Sequence, residues 1–199
     1  MPTRLLDQAL AQVQELQDRV LARQRFRGYS GPARALSGVA AVATAAGLAQ
    51  PPCAGSVTAQ LYGWGGLFAF ALAANYGALL YWFLHDPKVN RDWRKLRPTL
   101  DVFPPLVVGG LLTIAMLMRG EYHYLFAAWM CCYGLANLAS RHVLPRAISL
   151  VGLFYVFCGA ACLFAPGLAF TNPWPMGIVF GVGELAGGAI LYFDESRGI

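Results

Sequence analysis

One carboxylate stands alone in the middle of the last apolar stretch of the chain, "PMGIVFGVGELAGGAILYFDE", residues 175–195, whose other two acids close it. Glu184 sits near the middle of that stretch. An acid at mid-span costs about 2.5–3.5 kcal/mol on insertion scales, so it is expected to face protein or a cavity rather than lipid. Gly177, Gly181 and Gly188 fall seven before, three before and four after it, which puts them on its helix face. Small residues on that face let a neighbouring backbone approach closely. Asn75, near the centre of another apolar stretch, is the expected hydrogen-bonding partner. A short echo, "GALLY" at 77–81 and "GAILY" at 188–192, accompanies the pairing. With no Lys, Arg or His inside any predicted span, a neutral, hydrogen-bonded acid is favoured over an ion pair. Three roles are open to the Glu184–Asn75 pair: interhelical glue, proton or ion coupling, and a sensor or ligand site.

The remaining reactive residues point to less. Cys158 and Cys162 lie one helical turn apart and could share a soft metal with a neighbour, but no CxxC or Cys/His cluster occurs, and small apolar cysteines are common in buried helices. His85, His123 and His142 fall at span ends, where facing haem ligands are not expected. HExxH, GxSxG and P-loop motifs are absent. The expectation is no catalytic residue, no metal and no cofactor, hence not an enzyme.

The elements that hold these residues are legible from composition. Of 199 residues, 57% are hydrophobic and only 13% charged, against roughly a quarter charged in soluble domains. The apolar residues fall in long blocks between short polar or proline-bearing joints. The fold class expected is all-α: a polytopic six-helix transmembrane bundle preceded by a cytoplasmic amphipathic helix. Residues 1–30 form the first unit. The second, 31–199, carries spans at about 35–49, 62–84, 102–118, 124–140, 147–165 and 174–193. Aromatics such as Trp64, Trp82, Trp129 and Trp174 near predicted span ends read as an interfacial belt.

Charge orients the bundle. With the N-terminus in the cytoplasm of a bacterial cell and six spans threaded through the inner membrane, every Lys and Arg but Arg119 faces inward, and the C-terminus is cytoplasmic too. The loop bearing Lys88, Arg91, Arg94, Lys95 and Arg97 then meets lipid headgroups. The net charge of +5 therefore belongs to the membrane edge and gives no reason to invoke nucleic acid.

In the N-terminal segment, Leu6, Val13 and Val20 recur seven apart with Leu16 between them, opposite a polar face. Two readings stand: a helix that docks a protein partner or a second copy, and a helix lying at the headgroups.

"GYSGPARALSGVAAVATAAGLA", following a polar helix, and "GIVFGVGELAGGAILYFDESRG" at the end resemble uncharacterised small multi-pass membrane proteins of acidobacterial type. The resemblance implies a glutamine-bearing N-terminal helix, glycine-rich first and last spans, and a regulatory setting, since such genes often lie near a winged-helix regulator. It assigns no role to Glu184. The function expected is a non-enzymatic scaffold, sensor or regulatory partner in the inner membrane. The alternative is a small-solute or proton-coupled transporter using Glu184 and Asn75.

Overall fold

A computed structural model describes residues 28–85, 99–142, 144–165 and 167–197. The docking-helix positions Leu6, Val13, Leu16 and Val20 and the basic loop Lys88, Arg91, Arg94, Lys95 and Arg97 lie outside the described residues. Those described are helical, with no strand among them: α1 Gly31–Leu48, α2 Val57–His85, α3 Phe103–Arg119, α4 Leu125–Ala139, α5 Arg146–Phe164 and α6 Trp174–Arg197.

Local signals set the ends. Ser30 caps α1 by accepting a hydrogen bond from the Ala33 amide at 3.3 Å, and Pro32 occupies the first turn, where its missing N–H costs nothing. Prolines also open α3, and Gly120 closes it with a left-handed φ of 75° that side-chain-bearing residues resist. Helix α1 thus begins four residues before the start expected at Ala35, which has consequences for the site.

Four helical stretches are long and apolar enough to cross a membrane: Val57–His85, Thr99–Arg119, Arg146–Phe164 and Trp174–Ser196. That is consistent with a membrane protein. Of the other two helices, α4 has only 15 residues, about 22 Å at 1.5 Å per residue. Helix α1 carries Arg34 in its first turn.

The helices form an open ring in the order α2–α1–α6–α5–α4–α3, and α2 and α3 pack little against each other. Two antiparallel seams hold it together. Between α1 and α6, a Cβ at Gly31 would lie 2.7 Å from the Gly188 carbonyl oxygen, and one at Gly188 would lie 2.7 Å from that of Gly31. Between α4 and α5, Gly134 and Gly152 meet the same way, at 2.7 and 3.0 Å. Such approach is open only to glycine.

An aromatic core fills the end where α1 stops and α6 starts. Trp64, Leu125, Phe126, Met130, Phe170 and Met176 are buried together there. Trp64 therefore lies in the core rather than on an interfacial belt: it is 3% exposed and stands edge-on to Phe126 with ring centroids 6.0 Å apart. Its indole N–H is spent internally, donating to Gln60 Oε1 at 2.9 Å, and Gln60 Nε2 donates to the Thr171 carbonyl at 3.1 Å. That closed hydrogen bonding removes the pull toward the headgroups.

Candidate functional site

Glu184 is buried, 3% exposed, and its carboxylate faces the interior of the ring. Its partner is Arg34, whose Nη2 donates to Glu184 Oε1 at 3.1 Å and to Asn137 Oδ1 at 2.7 Å. The Tyr155 hydroxyl donates to the same Oε1 at 3.0 Å. One residue from each of α1, α4, α5 and α6 thus converges on a single point. Asn137 Nδ2 donates back to the Tyr133 carbonyl at 2.9 Å, and the Tyr133 ring stands edge-on to Tyr155 at 5.0 Å.

This corrects two expectations. A neutral, hydrogen-bonded acid was expected because no cation lies within span one when it is read from Ala35. The Ser30 cap and Pro32 start the helix at Gly31 instead, which carries Arg34 into the bundle. Asn75 was expected as the partner of Glu184. It donates instead to Ser37 Oγ at 3.2 Å and to the Ala71 carbonyl at 2.9 Å, tying α2 to α1. The reason is the ring order: α1 stands between α2 and α6.

The three glycines of the Glu184 face lie against α1. A Cβ on Gly177 would meet that of Ala45 at 2.3 Å, one on Gly181 would meet Val42 Cγ2 at 2.6 Å, and Gly188 opposes Gly31. Two further glycines went unmarked in the sequence. Gly187 lies under the Arg34 guanidinium, 2.4 Å from Nε to a built Cβ, and Gly183 lies under the Tyr155 ring at 2.4 Å. The two are four residues apart and so share one helix face, which was the available signal. Arg34 Nε finds no hydrogen-bond partner among the described residues.

Beside the cluster, in the gap between α2 and α3, is a cavity of about 110 Å³. Arg34, Asn75, Asn137 and Ser140 line it together with the hydroxyl-bearing rings of Tyr29, Tyr76 and Tyr133, and Phe68, Leu72 and Leu106 supply much of its apolar wall. Glu184 is not on that lining; it adjoins the cavity through Arg34.

The thiols sit elsewhere. Cys131 Sγ is 3.9 Å from the Val156 carbonyl, and Cys162 Sγ is 4.0 Å from Met130 Sδ. No group of three or more His, Cys, Asp or Glu side chains placed to hold a metal ion occurs among the described residues.

No protein-family model, curated protein or solved structure matches the chain.

Proposed function

We propose that this chain is a non-enzymatic, multi-pass inner-membrane protein that acts as a scaffold or sensor, with six helices crossing the bilayer and both termini cytoplasmic. The observation that supports this reading is how the buried polar groups are used. Arg34, Asn137 and Tyr155 are spent on Glu184 and on one another, which fixes the placement of α1 against α6. A buried ion pair adds little net stability over an apolar pair of the same shape, so we assign this one to fixing geometry. The segment carrying Leu6, Val13, Leu16 and Val20 precedes α1 in the chain. A protein partner or second copy docked on it acts on the helix that Glu184 holds. Membrane lipids are the other partner, met by Lys88, Arg91, Arg94, Lys95 and Arg97 at the headgroups.

Cysteine crosslinking from Val13→Cys in native membranes, with the five native cysteines replaced, tests the docking role. A discrete crosslinked species is expected; a purely monomeric, partner-free pattern overturns it.

A second reading, solute- or proton-coupled transport, draws on the cavity lined by Arg34 and Asn75. Glu184→Gln keeps the side chain's size and removes its charge. Transport whose pH dependence survives that substitution excludes a coupling role for Glu184.

A further inference from the structure

Among the described residues, the α2–α3 gap is an opening in the wall of the ring. The other neighbouring helices are packed along seams, whereas these two approach each other through the Tyr76 and Phe103 rings, with centroids 6.1 Å apart. Behind those rings the cavity grades from apolar to polar. Phe68 and Leu72 are exposed on the outer side, and Asn75, Asn137, Ser140 and Arg34 line the inner side. A site with an apolar mouth and a polar floor, opening sideways from a bundle of apolar helices, matches an amphiphile that enters from the bilayer.

Charge narrows the class. The cation on the floor is already neutralised, since Arg34 is paired with Glu184 at 3.1 Å. An anionic head placed there would leave a net negative charge in a poorly solvated space, which is costly. A neutral head bearing hydroxyl and carbonyl oxygens carries no such cost. It can accept from the second N–H of Asn137 Nδ2 and donate to Asn75 Oδ1 and Ser140 Oγ, both N–H bonds of Asn75 being held by Ser37 and Ala71. Size narrows it further. A cavity of about 150 Å³ holds the six heavy atoms of benzene, so 110 Å³ admits roughly four, the free diol end of a monoacylglycerol but neither its ester nor its tail.

We propose that the α2–α3 cleft binds a neutral glyceride, with its glycerol end on the Asn75–Asn137–Ser140 floor and its acyl chain leaving between Phe68, Leu72 and Leu106 into the bilayer. The binding is independent of the docking role given to the N-terminal segment.

The test uses the full chain in phosphatidylcholine nanodiscs with a monoacylglycerol carrying a photoreactive diazirine beside its ester. Labelling is expected to concentrate on the cleft side of α2 and α3, near Ala71 and Leu106. Ala71→Phe, which fills the cavity, is expected to lower it at least fivefold, while Leu80→Phe on an exposed face leaves it unchanged. Size-exclusion elution of both variants reports folding. Asn75→Leu, which removes the amide without adding bulk, is expected to lower labelling severalfold and serves alone if Ala71→Phe does not fold. Unlabelled monoacylglycerol is expected to compete. Competition by phosphatidylglycerol instead overturns the neutral-head assignment, and competition by free glycerol overturns a membrane source. Labelling spread evenly onto outward residues such as Leu111 and Ile114, or unmoved by the cleft substitutions, overturns the site.

Discussion

The α1–α6 and α4–α5 seams are built alike and used differently. Each brings two helices together at a reciprocal glycine pair, Gly31 with Gly188 and Gly134 with Gly152. Along α4–α5 no formal charge takes part: Gly159 lies against Cys131 and Ala127, Gly134 against Val156, and the Tyr133 ring edge-on to Tyr155. Along α1–α6 the same close approach seats a guanidinium on Gly187 and delivers it to a carboxylate. The difference teaches what glycine contributes in each place. At α4–α5 it brings surfaces together. At α1–α6 it also makes room for a charge pair that fits no wider seam.

Removing one member of the charge pair separates the seams most. Arg34→Leu and Glu184→Leu are each expected to cost about 3–5 kcal/mol, because each leaves a buried ion unpaired. The double variant is expected to recover most of the loss. Thermal unfolding in one detergent measures all three, and a double variant as unstable as the singles would show that the two residues are not coupled.

Overpacking comes next. Gly188→Val and Gly134→Val are each expected to cost roughly 1–3 kcal/mol, since both drive a side chain into a facing backbone. Only the first is expected to weaken the coupling between Arg34 and Glu184 in a double-mutant cycle. Equal loss of coupling from Gly134→Val would erase the distinction between the seams.

Tyr155→Phe deletes one of the two hydrogen bonds on Glu184 Oε1 and leaves the ring in place. The expected loss is about 1 kcal/mol, in the range of interhelical hydrogen bonds within membranes. Ser37→Ala, which removes the acceptor for Asn75, is expected to cost about 0.6 kcal/mol or less, since Asn75 keeps its bond to the Ala71 carbonyl. A loss as large as that from Arg34→Leu would move the centre of the site from α6 to α2.

The helices were readable because apolar runs and their proline and glycine joints are local properties. Glu184 was readable because a solitary acid in an apolar run is costly wherever that run packs. Its partner was not. The Ser30–Gly31–Pro32 sequence is a helix start, and weighing it would have placed Arg34 inside the first helix. Asn137 and Tyr155 carry no comparable local mark. An amide or a phenol is cheap enough in an apolar run to pass unnoticed, and only the ring order shows that α4 and α5 face Glu184. Asn75 is conspicuous because it stands near the centre of its apolar stretch, beside the GALLY echo. Which residues meet across a bundle is a matter of helix adjacency, on which a single sequence is silent.

The Arg34–Glu184 pair also has a history in time. The two residues are 150 positions apart in the chain. At synthesis rates of about 5–20 residues per second, Arg34 is made roughly 8–30 s before its counter-ion. During that interval the first helix carries a bare cation, and nothing on α2 to α5 neutralises it with a formal charge at that point. The last helix is therefore the one that completes the first. A chain stopped short of Glu184 leaves Arg34 without its counter-ion, so the first helix can be paired only after the last one is made.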